Sequence, residues 1–458
     1  MMAQLARRRA FLRGRQNGLS PTARIPSEVL TEIFQMACQP VDNGHKQAVT
    51  PLFIGSICRL WRDTAWSTPL LWNTIFLHIS GRRHSAQVQL LGDWLSRARL
   101  APLTIKLIAE DEHKFTVGAF QAIIRVLVTR SNYWHTFESF LPPQCHHLFE
   151  NIKFPMLTSV SVHPPKSTLS AFNTPPDAFL TAPKLLDVDL SGYNFAAMVL
   201  PWEQIRRFKT QLLTVAECLK ILRQSPNLQE CHLKQVYSQD NFTCSTITSH
   251  TELQHLDVIL IKACSTLLFD SITLPSLSHL SIHYNGPENL TLSSISSLIL
   301  RSSCKLERLT IEKYHFEDAD LIPCLETMPS LTHLHLEMVG ITNPMMGLTR
   351  LFVTSLDPLS NSKTPLLPNL KYFEYKGRVL CDYRTIVDML AHRWRLYDSG
   401  TSQSRVSQLK LAEVLSTVPY HVAAGMQEEL SRLSEEGMVV RIESLAPTTL
   451  GYARTHNM

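Results

Sequence analysis

Two rhythms of apolar residues divide this chain. Near its start, Val29, Leu30, Ile33, Phe34 and Ala37 recur at helical spacing in the segment IPSEVLTEIFQMAC, which predicts a helix with one apolar stripe. Pro26 suits the first turn, where its missing N–H costs nothing, and Glu28 and Glu32 favour the early turns through the helix dipole. The helix is expected to stop near Pro40, ahead of a polar loop, VDNGHKQAVT. In the next run, PLFIGSICRLWRDTAWSTPLLW, Leu52, Phe53, Ile57, Leu60 and Trp61 again share one helical side. Ser67 is placed to cap a last short helix with Pro69 in its first turn, and Leu71 and Trp72 close the segment. A unit this small cannot bury so many apolar side chains by itself. Either it is the first layer of a larger helical core, or part of the stripe is a docking face for another chain.

Further on, the period shortens to two and the pattern repeats. The recurring phrase is a proline or polar residue followed by x-Leu-x-x-Leu-x-Leu. It appears as PMLTSVSVH from Pro155, PKLLDVDLS from Pro183, PNLQECHLK from Pro226, TELQHLDVI from Thr251 and PSLSHLSIH from Pro275. It continues as CKLERLTIE from Cys304, PSLTHLHLE from Pro329, PNLKYFEYK from Pro368 and, more weakly, RVSQLKLAE from Arg405; PLTIKL at Pro102 reads as an earlier strand. Starts from Pro226 to Pro329 lie 25, 24, 29 and 25 residues apart, the period of leucine-rich repeats. Each phrase predicts a short strand, with Leu253, Leu256 and Val258 pointing inward and His255 and Asp257 outward. Helices are expected between strands. The clearest is TVAECLKILRQ, where Thr214 and Glu217 form a capping box; FEDADLIPCLETM and RTIVDMLAHRW read similarly. One strand–helix unit is too small to bury its own core, so stacking must hold the array together.

With those residues in view, the N-terminal segment resembles the F-box, in the form common in mushroom-forming fungi. Ile25 and Pro26 stand where that family opens its first helix with Leu-Pro or Ile-Pro. Cys58, Arg59 and Trp61 match its Cys-Arg-x-Trp core, and Pro69, Leu71 and Trp72 its closing Pro-x-Leu-Trp. The resemblance covers residues 24–77 and extends less specifically over the repeats at 100–445. It implies a Skp-type adaptor as partner and, through it, a cullin–RING ubiquitin ligase. The docking residues it implies are Ile25, Pro26, Val29, Leu30, Ile33 and Phe34, with Ile57, Cys58 and Trp61 from the later helix. Some of these must hold the motif together instead. The expected architecture is therefore α/β: a disordered basic tail (1–19), the F-box (20–78), a linker helix (79–100), a leucine-rich-repeat solenoid with a curved parallel sheet and outer helices (101–445), and a tail (446–458).

Composition narrows the function classes. The chain has 458 residues, 44% apolar and 18% charged, with a formal net charge of +5. That balance gives no case for nucleic acid, whose binders cluster Lys and Arg on one face. The dense basic run, Arg7, Arg8, Arg9, Arg13 and Arg15, reads as a solvated tail, with a targeting signal as the alternative. Ten cysteines include no CxxC pair, and no apolar stretch is long enough to span a bilayer, so a reduced cytoplasmic or nuclear protein is expected, with no membrane partner. Sequons at Asn241 and Asn289 carry little without a secretory route. No phosphate loop, GxSxG elbow or HExxH occurs, and no cofactor or catalytic residue is assigned. Cys145, His146 and His147 are adjacent, but a metal would need further ligands, and a connecting loop is the plainer reading. Outward strand positions carry seven of the 19 histidines: His163, His232, His255, His279, His283, His333 and His335. They are either tolerated polar residues or part of a recognition surface. The surface expected to take an unidentified target protein is His255, Asp257, His279, Arg308, His333, His335, Tyr372 and Glu374. Together these readings point to a non-enzymatic substrate receptor of an SCF-type ubiquitin ligase, with a non-degradative adaptor or scaffold as the alternative.

Overall fold

A computed structural model describes residues 2–38, 50–109, 117–140, 143–163, 179, 182–195, 199–238, 246–261, 264–285, 291–313, 316–338, 346–360, 365–395, 406–418 and 424–444. The loop at 39–49, Asn241, Cys244, Asn289 and the tail from 446 lie outside them. The fold is mixed α/β, built from parallel strands taken in chain order, and its residues group into two units. One comprises Met1–Asp189 with Met198–Pro201, the other Leu190–Ala197 with Trp202–Met458.

The first unit opens with α1 (Met2–Gly18), α2 (Ser27–Ala37), α3 (Pro51–Ile57), α4 (Arg59–Ser67) and a 3-10 turn over Pro69–Trp72. Met2–Gly18 form α1 within the stretch 1–19. Ala, Leu, Met, Gln and Arg, which fill this segment, are all good helix formers, and charge alone does not unwind them. Then follow β1 (Thr74–Ile79), α5 (His84–Ala98), β2 (Leu103–Ala109), α6 (Val117–Val128), β3 (Trp134–Phe140), β4 (Ser159–His163) and β5 (Asp187–Asp189). These five strands pair parallel in order. The strand series begins at Thr74, inside the stretch 20–78, and α5 falls within the expected linker helix 79–100, crossing between β1 and β2. In β3, Trp134 and Phe137 stack with ring centroids 4.7 Å apart, so aromatic rings fill places that leucine fills elsewhere.

The second unit carries β6 (Arg207–Thr214), α7 (Val215–Gln224), β7 (Glu230–Tyr237), β8 (Thr248–Ser249), β9 (His255–Leu260), α8 (Ser265–Asp270), β10 (Ile272–Thr273), β11 (His279–Tyr284) and α9 (Leu292–Ser302). It continues with β12 (Arg308–Glu312), α10 (Asp318–Glu326), β13 (His333–Glu337), α11 (Arg350–Leu356), β14 (Tyr372–Gly377), α12 (Tyr383–Arg395), β15 (Leu411–Ser416), α13 (Ala424–Glu435) and β16 (Val439–Ser444). All but β8 and β10, which pair with each other, form one parallel series in chain order.

The phrase x-Leu-x-x-Leu-x-Leu explains this repetition. Its apolar positions, such as Leu253, Leu256 and Val258 or Leu331, Leu334 and Leu336, are each no more than 3% exposed. Burying a leucine contributes ~1.5–3 kcal/mol, so each repeat adds several such terms only when a neighbour covers it. At each strand entrance one carbonyl accepts two successive amides from the next repeat. Gln229 O takes the N–H groups of Gln254 and His255, Gln254 O those of Ser278 and His279, Ser278 O those of Glu307 and Arg308, and Glu307 O those of Thr332 and His333. That join satisfies backbone donors where the strand begins and fixes the register.

Candidate functional site

Two surfaces carry the chemistry expected from the sequence. The first is the helical motif of the first unit. Leu30 and Phe34 face inward at 1% and 2% exposure, and Phe34 packs on the half-buried Trp61 with ring centroids 5.0 Å apart. Cys58 caps α4, its Sγ accepting the Trp61 N–H at 3.5 Å. Trp72 is fully buried, donates its indole N–H to the Ala65 carbonyl at 2.8 Å, and meets Trp66 and Trp94 edge-on. The Arg97 guanidinium lies 4.8 Å from the Trp72 ring. Ser67 does not cap the following turn: its hydroxyl donates back to the Thr64 carbonyl, and Thr68 stands at the cap position.

The expected docking set therefore divides. Leu30 and Phe34 belong to the motif's own core and cannot present surface. Val29 (45%), Ile33 (41%) and Ile57 (49%) are exposed, as is Pro26, while Ile25 is half-buried. Met36 and Phe53 are exposed too, and neither stood in the expected docking set. Val29, Ile33 and Met36 are spaced four and three residues apart and so share a helix face; Phe53 and Ile57 do the same on α3. On the other side of α2, an open groove toward α4 is polar and acidic, lined among others by Glu28, Glu32 and Asp63.

The second surface is the outward row of strand residues in the second unit. Strict alternation leaves every second residue of β9, β11, β13 and β14 half-buried between buried neighbours. Parallel register then aligns these residues across strands. One row runs Glu230, His255, His279, Arg308, His333 and Tyr372; the next runs His232, Asp257, Ser281, Thr310, His335 and Glu374. All eight expected target-binding residues fall in these two rows. A third row, His283, Glu312, Glu337 and Lys376, was not among them, although the same alternation marks it.

Acids here are hydrogen-bonded within the face. Asp257 takes a hydrogen bond from His232 Nδ1 at 3.1 Å, Glu312 from His283 at 2.9 Å, Glu374 from His335 at 2.9 Å and Glu337 from Lys376 Nζ at 3.2 Å. His333 stacks on Tyr372 with centroids 4.1 Å apart and planes 8° apart, and His255 lies 4.2 Å from His279. His279 and His333 both titrate below the ordinary histidine range. Burial is the main cause for each, with His255 and Arg308 opposing charge at His279, and Arg308 at His333.

Burial pushes the Cys145 thiol up to about 11 and that of Cys231 to about 12, so neither offers a ready thiolate at neutral pH. Among the described residues no group of three or more His, Cys, Asp or Glu side chains is arranged to hold a metal, and no helix is long and apolar enough to cross a membrane. No protein-family model matches the chain, and no curated protein does. Solved structures match in part. One is a protein of Bacteroides fragilis determined as a structural genomics target, 11% identical, aligned over 64% of this chain and 66% of that one, with a TM-score of 0.27. Likeness at that level carries no weight for function, which rests on the residues themselves.

Proposed function

We propose that the chain is the substrate-recognition subunit of an SCF-type cullin–RING ubiquitin ligase, in which the N-terminal motif is an F-box that docks a Skp-type adaptor and the repeat strands hold the target. The observation that carries this reading is the apolar stripe of Val29, Ile33 and Met36, exposed on a motif whose own core is already filled by Leu30, Phe34, Ala65 and Trp72. Apolar side chains left outside a filled core mark a surface that another chain covers. The mechanism is proximity. Adaptor and target, bound to one chain, bring the target to a charged ubiquitin carrier at high effective concentration, and transfer chemistry belongs to other subunits.

The test is replacement of Val29 and Ile33 together by Asp. Burial of each side chain contributes ~1.5–3 kcal/mol, so the pair should weaken adaptor binding far more than tenfold. Circular dichroism should be unchanged, because both side chains are exposed. Phe34→Ala should instead unfold the motif. Undiminished co-purification of the folded double variant with the adaptor would remove the docking claim. Adaptor binding without ubiquitylation of any captured partner would favour the scaffold role.

A further inference from the structure

The strand acids Asp257, Glu312, Glu337 and Glu374 each have a basic partner within hydrogen-bond reach, yet the exposed strand cation Arg308 does not. Arg308 makes no ion pair or side-chain hydrogen bond among the described residues. It stands in register between His279 on β11 and His333 on β13. Those two histidines sit in the same local setting, Ser-His-Leu at 278–280 and Thr-His-Leu at 332–334. Ser278 Oγ donates to the Gln254 carbonyl at 3.2 Å, and Thr332 Oγ1 to the Glu307 carbonyl at 3.0 Å. Each hydroxyl also lies 2.8 Å from the Nδ1 of the following histidine. A hydroxyl has one proton. With that proton committed to the carbonyl, its oxygen must accept from Nδ1–H. The neutral ring then carries an unprotonated Nε2. Arg308 is thus flanked by two uncharged imidazoles, each able to take up a proton.

We propose that Arg308, with His279 and His333 beside it, anchors a single carboxylate side chain of an acidic peptide segment in the bound partner. This rests on the reading that the strand face receives the target. A carboxylate accepts two N–H donors from one guanidinium, and a proton taken from solvent onto Nε2 adds a further donor to it. The local charge favours a monoanion over a dianionic phosphate. Arg308 supplies one positive charge, and the Glu307 carboxylate lies close enough to oppose the loss of a proton from both rings. The other charged groups near them are His255 for the first ring, and Glu374 and Lys371 for the second, with Tyr372 packed on His333.

Binding should therefore be linked to pH in a stated direction. The carboxylate raises the affinity of the rings for protons, so protons raise the affinity for the carboxylate. Affinity should climb as pH falls through and below the ordinary histidine value of about 6.5. The experiment uses the purified full chain with an oligoglutamate peptide, an oligolysine peptide and inorganic phosphate as probes. Binding is followed by calorimetry and by the ring C–H signals of the two histidines in NMR. Oligoglutamate should bind and oligolysine should not, with affinity rising several-fold from about pH 7.5 to about pH 5.5. Both ring titrations should move upward on saturation. Arg308→Ala should lose about tenfold or more. His279→Gln with His333→Gln should keep a weaker, pH-independent binding, and Glu307→Gln should tighten it. Wild-type affinity in Arg308→Ala, or pH-independent binding in the wild type, would overturn the proposal. Phosphate binding more tightly than oligoglutamate at the same residues would overturn the carboxylate assignment. The adaptor takes no part in this assay, so its outcome stands apart from that of the docking test.

Discussion

Arg393 shows how far a single side chain can differ from its appearance in the sequence. In RTIVDMLAHRW it reads as one of the charges on the wet side of a helix, yet it is only 1% exposed. Its Nε donates to the Leu356 carbonyl at 2.6 Å, and its two terminal nitrogens to the carbonyls of Leu367 and Leu366 at 3.1 and 2.5 Å. Burial lowers its pKa to about 10, with Asp357 acting against that shift, so it remains charged at neutral pH. The Leu356 carbonyl ends α11, and those of Leu366 and Leu367 belong to the connection between α11 and β14, where Leu367 has a positive φ of 52°. Backbone of that kind forms no ladder of its own and needs a donor from elsewhere. Arg301 serves likewise, donating to the carbonyls of Phe269 and Ile272 at 2.6 and 2.7 Å. Arg393→Met should leave the buried carbonyls of Leu356 and Leu366 without this donor, whereas Leu367 O still accepts the Leu370 N–H at 3.2 Å. At ~1–3 kcal/mol for each unpaired group, the two together should cost ~2–6 kcal/mol, visible as a large fall in the urea midpoint with an unchanged slope. Arg393→Lys should recover part of it. The same change at Arg395, which is exposed and pairs with Glu429 and Glu436, should have a small effect.

At the scale of elements, what was legible followed from periodicity, and what was hidden followed from its loss. The capping box is in place: Glu217 Oε2 accepts the Thr214 N–H at 2.8 Å and Thr214 Oγ1 accepts the Glu217 N–H at 3.2 Å. Thr214→Ala should cost ~1 kcal/mol, to be read from the thermal midpoint, with Thr214→Ser nearly neutral. Four strands of the long parallel series escaped the leucine pattern. β1 lies at the end of a helical motif and was absorbed into it. In β3 the apolar places are aromatic. Within β6, Leu212 has φ +60°, which breaks the alternation, and β16 has no buried residue within its bounds. Close approaches were hidden as well. A Cβ at Gly377 would lie 2.7 Å from the Tyr375 hydroxyl, which donates to the Arg378 carbonyl at 2.6 Å and accepts the Leu348 N–H at 3.0 Å. In the sequence that residue is merely a glycine after a strand. In the helical motif the apolar stripe was legible, but its division was not. Leu30 and Val29 are neighbours of similar chemistry, and only the packing of α2 on α4 decides that one is core and the other surface.

For the molecule as a whole, the two compact units do not follow the boundary between helical motif and repeats, because the first holds the motif together with β1 to β5. Dependence between repeats should be strongest within the second unit, where each strand's apolar residues are covered by the next. Ending the chain after Met328 removes β13 and everything beyond, and so uncovers Leu309 and Ile311, which are at most 1% exposed in the full chain. The fragment 1–328 should aggregate or be cut rapidly by protease, whereas a soluble fragment with one cooperative transition would show that the later strands fold separately. The rows of outward residues carry a different consequence. His232 and its partner Asp257 are 25 residues apart in sequence, while His335 and Glu374 are 39 apart, yet each pair spans a single step between neighbouring strands. Chain length between rungs is thus invisible on the face. Insertions and deletions in the connections can accumulate without moving any contact residue, and a substitution on a strand can change one contact without displacing the others. Such a surface is addressed like a keyboard: each key keeps its place however much wiring runs behind it, and new specificities can be reached one key at a time.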